Sequence, residues 1–279
     1  MKSVDKILRH AIIACGFAVI FVAPARADDA SSWSEDSHSA FRLIAGSNKP
    51  DAAVLRAGVE IKMQPGWKTY WRYPGDSGEP PRFDFSDSEN LARATVLYPA
   101  PHLYTDESGN SLGYKDAVTF PLQVTPKQKG QPVTLHVKVD YAICERLCVP
   151  AQGSAALTLA AGASTADAAL SAAEALVPKK VSAADAGLTV RRMNNAAKPL
   201  VVVDLRAPDG TPVNIFVEGP TPEWALPIPK PASGAPPGHR QFAFELDGLP
   251  PGVDPKGHFE LTITVVEPGR AIEVATHLD

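Results

Sequence analysis

Apolar and polar residues alternate over short stretches from His38 to about Leu159, with turn-forming residues between them, which is the period of half-buried β-strands. Val59, Ile61 and Met63 share one face of a strand, Pro65-Gly66 forms a turn, and Trp67, Thr69, Trp71 and Tyr73 line one face of the next. The pair reads as a hairpin. Phe41 to Ala45, Arg82 to Phe85, Ala94 to Tyr98, Ala117 to Val124, Val133 to Cys144 and Cys148 to Leu159 complete about eight antiparallel strands. Residues 161–187 then change character: Ala dominates, and Ser164 or Thr165 is placed to cap a short helix through Leu170 and Leu176 that Pro178 stops. Strand signals resume at Leu188, with Val201 to Leu205, Val213 to Val217, Phe242 to Leu246 and Phe259 to Val266, and the proline-rich Pro220 to Gly238 reads as an extended loop. The predicted fold is all-β: a sandwich over 38–160, an Ala-rich linker with a short helix over 161–187, and a smaller sandwich over 188–279.

Composition adds that 27 Pro and 20 Gly make the chain loop-rich, while 44% hydrophobic residues are enough for real cores. A net charge of -4 argues against nucleic acid as a partner, because phosphate binding needs a basic face. Residues 1–27 read as a secretory signal peptide: Lys2, Lys6 and Arg9 precede an apolar stretch from Ala11 to Ala23, and Ala25-Arg26-Ala27 is a small-x-small site with cleavage expected after Ala27. Without that segment, 23 basic residues face 30 acidic ones, since Lys2, Lys6, Arg9, Arg26 and Asp5 leave with it. The mature chain is expected to have no membrane span, because the uncharged run from Cys148 to Ala166 is interrupted by Pro150, Gln152, Gly153, Ser154 and Thr158. An oxidising compartment, the bacterial periplasm, is the expected location.

Cleavage removes Cys15 and leaves two cysteines, Cys144 and Cys148, separated by Glu145-Arg146-Leu147. The odd positions from Val133 to Ile143 are apolar, so Cys144 falls on the polar face; Val149, Leu157 and Leu159 restore the odd apolar face and put Cys148 on the same side. With a three-residue hairpin loop, the two cysteines oppose each other at a separation a disulfide tolerates. Three roles stay open on spacing alone: a structural staple, a redox pair, or a metal site. A staple closing about five residues stabilises by only ~2 kcal/mol, whereas a pair at a solvent-side hairpin tip can meet an incoming thiolate, and Arg146 offers charge that favours thiolate. Metal is the weakest of the three, because the nearest histidine, His136, is eight strand residues away. Gly75-Asp76-Ser77-Gly78-Glu79-Pro80 resembles the nucleophile loop of chymotrypsin-like proteases, but only His38 precedes Ser77 in the mature chain, so the segment reads as a turn. Trp67 and Trp71, at even spacing on a strand, read as core aromatics rather than a sugar platform.

GWKTYWRYPGDSGEPP (Gly66 to Pro81), TDESGNSLGYKDAVTFPL (Thr105 to Leu122) and VDYAICERLCVP (Val139 to Pro150) together resemble the N-terminal periplasmic domain of the thiol:disulfide interchange protein DsbD and its relative ScsB, over about residues 38–160. The resemblance implies an immunoglobulin-like sandwich, extended here to both halves, and a protein-disulfide reductase or interchange component in which Cys144 and Cys148 exchange. It implies two partners on other chains: a membrane-embedded thiol reductase as electron donor and a periplasmic thioredoxin-like protein as acceptor. No cofactor and no metal are implied. Asp106 and Glu107 match the acidic start of the family's capping loop, and that loop carries a Phe over the cysteines. Here Ser108 and Gly109 follow instead, which leaves Tyr104 or Tyr114 to shield the pair. The alternative function, from a different class, is a two-sandwich binding or assembly module with an inert disulfide.

Overall fold

The computed structural model describes residues 28–106, 109–193 and 198–279; the predicted signal segment, Glu107 and Ser108 lie outside them. Eleven described strands build the first sandwich: β1 (Ser34–Asp36), β2 (Ser39–Ala45), β3 (Leu55–Met63), β4 (Lys68–Gly75), β5 (Arg82–Asp84), β6 (Leu91–Val96), β7 (His102–Asp106), β8 (Gly109–Lys115), β9 (Ala117–Pro126), β10 (Val133–Cys144) and β11 (Cys148–Leu159). One sheet runs β1-β2-β3-β9-β6; the other runs β11-β10-β4-β8-β7, with β5 also paired to β10. All their pairings are antiparallel. The alternation places each strand's apolar set between the sheets. Val133, Leu135, Val137, Val139, Tyr141 and Ile143 of β10 meet Phe41, Leu43, Val59 and Ile61 of the opposite sheet in one buried core. Trp71 lies in that core at 0% exposure, and Trp67 packs at its margin, stacked on His38 with ring centroids 4.2 Å apart.

The stretch from Tyr104 to Tyr114 departs from expectation. The resemblance implies a capping loop here, but residues 104–106 and 109–114 lie in the paired strands β7 and β8, and β8 is hydrogen-bonded to β4. The reason lies across the sheet: Gly113 sits where any Cβ would overlap the Thr69 carbonyl, so the missing side chain lets β8 close onto β4.

The Ala-rich stretch is integrated rather than free. Helix α1 (Asp167–Ala175) starts just past the expected caps, with Ala166 at its N-cap and the Ser164 hydroxyl accepting the Ala166 N–H. Leu170 is fully buried against Gly46 and Gly58, where a Cβ would crowd it. Arg56 of β3 ties the helix down with Nη1 2.6 Å from Asp167 and Nη2 2.7 Å from Glu174. Strand β12 (Lys179–Lys180) and helix α2 (Ala183–Ala186) then lead into a second antiparallel pair of sheets. Its strands are β13 (Leu188–Met193), β14 (Leu200–Arg206), β15 (Asn214–Glu218), β16 (Lys230–Ala232), β17 (His239–Glu245), β18 (Phe259–Glu267) and β19 (Arg270–Leu278). The sheets run β12-β19-β18-β15, in which β12 joins parallel to β19, and β13-β14-β17-β16.

The two sandwiches meet along β4 and β15. Phe216 of β15 enters the first core, its ring 6.0 Å from that of Trp71. Arg72 pairs with Glu218 at 2.6 Å and Glu273 at 2.5 Å, and the Tyr73 hydroxyl donates to the Leu226 carbonyl. Burial works against the Arg72 charge, yet the two carboxylates hold its pKa above the ordinary value.

Candidate functional site

The β10–β11 ladder runs in unbroken register from Val133↔Leu159 to its last pair, Cys144↔Cys148. That register is the one the odd apolar positions predict, and it brings the two cysteines to 4.2 Å at Cα, joined as a disulfide. The sulfurs differ in environment. Cys148 is exposed, beside Leu147 at 74% exposure, whereas Cys144 is 3% exposed.

What covers Cys144 is the strand next to β10. Ile143 pairs with Thr69 and Cys144 with Lys68, so the outward-facing side chain two residues on, Tyr70, lies over the end of the ladder. Tyr70, Ala142 and Cys144 form a small buried cluster of their own, outside the main core. The Tyr70 hydroxyl donates to Cys144 Sγ at 2.7 Å and lies 3.3 Å from Cys148 Sγ. Burial, then the nearby Asp106 charge, raises the Tyr70 pKa above its ordinary value. The Thr69 hydroxyl bonds the Ala142 carbonyl at 2.9 Å and fixes the crossing of the two strands.

A second layer lies over the tyrosine. Gly78 packs against the Tyr70 ring so closely that a Cβ there would overlap it. The protease-like segment therefore serves as a lid on the ring. Asp76 from the same segment bonds the end of the hairpin: its carboxylate accepts the Asn110 amide N–H at 2.9 Å, and its own N–H donates to the Asn110 carbonyl at 2.8 Å. Lys68, cross-strand neighbour of Cys144, pairs with Asp106 at 2.9 Å and bonds the Ser111 hydroxyl at 2.9 Å.

The residues assigned to a covering loop thus take different places. Asp106 and Gly109 stand at the end of the hairpin, linked to the site through Lys68 and Asp76. Tyr104 lies beside Lys68, whose ammonium is 5.6 Å from its ring. Tyr114 is not a shield: its ring packs in the main core against Phe120, and its hydroxyl donates to the Pro99 carbonyl. The aromatic on the disulfide is Tyr70, which the sequence does not single out: Trp67, Thr69, Trp71 and Tyr73 claim the other face of that strand, so parity gives its face and not its partner. Arg146 turns to solvent at 91% side-chain exposure, with Glu145 3.9 Å away, so the cation set by register beside Cys144 is Lys68. Among the described residues, no three His, Cys, Asp or Glu side chains converge as metal ligands, and no helix is long and apolar enough to cross a membrane.

Residues 36–160 match the family model of the N-terminal part of the thiol:disulfide interchange protein DsbD. Among solved structures, the crystal structure of the N-terminal periplasmic domain of ScsB from Proteus mirabilis is similar with a TM-score of 0.70 and 19% sequence identity, covering 90% of this chain and 98% of that one. The likeness extends over both sandwiches and is one of fold. No curated protein sequence matches the chain.

Proposed function

Starting from a first sandwich that matches the DsbD N-terminal family over residues 36–160, we propose that this protein is a periplasmic thiol-disulfide exchange module. Its Cys144–Cys148 pair relays electrons from a membrane-embedded thiol reductase to thioredoxin-like proteins. The observation that carries the reading is the asymmetry of the disulfide: one exposed cysteine at a hairpin tip and one buried beneath a tyrosine. Access decides which sulfur is attacked, so Cys148 forms the mixed disulfide and Cys144 resolves it. A bond closing so short a loop contributes only ~2 kcal/mol as a staple, which leaves exchange as its better use.

The test joins a redox titration to a trapping experiment. The expected potential lies above about -300 mV, the range of exchanging rather than structural bonds. Cys144→Ser, which leaves Cys148 as its thiol, is expected to trap a thioredoxin-like protein that lacks its resolving cysteine and is supplied as its mixed disulfide with thionitrobenzoate, the Cys148 thiolate displacing thionitrobenzoate as the leaving thiolate, and Cys148→Ser to trap far less. A potential below that range with no trapped species would establish the binding module with an inert disulfide.

A further inference from the structure

We infer that Tyr70 is a catalytic residue of the exchange, its hydroxyl holding the Cys144 sulfur as the leaving group when Cys148 is attacked. The inference rests on the exchange reading and adds a chemical role that the cysteine pair alone does not supply.

The geometry is specific. Cys144 is buried, and Tyr70 is the side chain that hydrogen-bonds it among the described residues, at 2.7 Å. The ring has little freedom to leave: Tyr70 is 1% exposed, Gly78 lies against one side of it, and the neighbouring Thr69 is anchored to the Ala142 carbonyl. In the reaction, a partner thiolate donates an electron pair to Cys148 Sγ and forms the intermolecular S–S bond. The Cys144–Cys148 bond breaks, its electron pair stays on Cys144 Sγ, and Cys144 departs as a thiolate that water later protonates. Attack by the partner's second thiol on its own sulfur in the mixed disulfide completes a balanced two-electron reduction, releasing Cys148 as thiolate.

Departure is the step burial would impede. A thiolate generated in an apolar pocket is poorly solvated, its conjugate thiol has a raised pKa, and such a thiol leaves slowly. A prealigned hydroxyl donor reverses that penalty where the charge develops, in the manner of an oxyanion hole. The same contact biases scission in one direction, because the hydroxyl is closer to Cys144 than to Cys148.

Tyr70→Phe keeps the ring that packs beneath Gly78 and removes the donor alone. Reduction of its disulfide by a small dithiol is expected to slow about tenfold or more relative to the parent, as for loss of one hydrogen bond to a charged group. In a Cys148→Ala background, the pH midpoint for alkylation of Cys144 is expected to rise by about one unit on introducing Tyr70→Phe, a tenfold change in proton affinity. A tyrosine that merely covers the sulfur would move neither quantity, since phenylalanine covers it equally. An unchanged reduction rate or an unchanged alkylation midpoint would overturn the assignment. Neither measurement needs a protein partner, so failure here is distinct from failure of the trapping experiment; the alkylation profile decides even if the disulfide resists every reductant.

Discussion

Gly78 decides how tightly the Tyr70 ring is held on the disulfide. Its backbone is left-handed, at φ +111°, and a Cβ would collide with the ring. Gly78→Ala is therefore expected to displace Tyr70 from Cys144, slow reduction by a small dithiol several-fold, and lower stability by about 1–3 kcal/mol through strain at positive φ. Gly210→Ala is the control: its φ is +80° with open space around the Cβ, so it shares the backbone strain while leaving the reduction rate at the parent value. Stopped-flow reduction and urea unfolding of the two variants make the comparison. At this scale the opposition of Cys144 and Cys148 is legible from strand parity, because a hairpin with a short loop is a local object. Tyr70 is hidden for the complementary reason. Parity puts it on the outer face of its strand, but nothing near it in sequence tells which strand β4 will join, and its contact with Cys144 spans 74 residues.

Helix α1 shows at the scale of the element how composition misleads. An Ala-rich stretch between two sandwiches reads as a linker, yet Arg56, Asp167 and Glu174 form an ion-pair network holding the helix to β3, with Leu170 buried beneath it. Arg56→Ala is expected to lower stability by about 1–2 kcal/mol, the scale of a partly exposed network. The same pairing is pH-dependent. The Asp167 pKa is held below its ordinary value, chiefly by the Ser47 backbone N–H and also by Arg56, against the opposing effect of burial. Its contribution is complete above the unfolded carboxylate pKa of about 3.9 and disappears as pH falls through the lower folded value. Urea midpoints of the parent and Arg56→Ala should then converge under strong acid; a gap as wide there as at pH 7 would show that the helix is held by Leu170 packing instead. The β7–β8 hairpin is the opposite case, a stretch the resemblance implies as a loop and whose pairing is supplied by β4.

At the scale of the whole molecule, the second sandwich is fastened to the strand that carries Tyr70. Arg72, two residues along β4, reaches Glu218 and Glu273, and both carboxylates are largely shielded from solvent. Removing Arg72 takes away the partner of Glu218 and leaves Glu273 with the exposed Lys180, 3.7 Å away. Arg72→Ala is expected to cost about 2–4 kcal/mol and to separate unfolding of the two sandwiches into distinct calorimetric transitions. A single transition at the parent temperature would show that Phe216 and Tyr73 suffice to hold them together.

The cores, the long core strands and the opposed cysteines follow from the amino-acid order itself, because alternation at a period of two assigns each side chain to a face without reference to distant residues. The hairpin β7–β8 and the short β16, which falls inside the proline-rich stretch expected as a loop, instead gain their pairing from neighbouring strands. The chemistry at the disulfide belongs to the tertiary structure. Strand pairing between β4 and β10 places Tyr70 and Lys68 beside Cys144, and the Asp76 carboxylate bonds the hairpin to the segment that ends in Gly78. Register within a hairpin is set by its loop and its own apolar face, whereas the order of strands in a sheet is set by which faces pack across the sandwich, and only folding of the whole domain decides that.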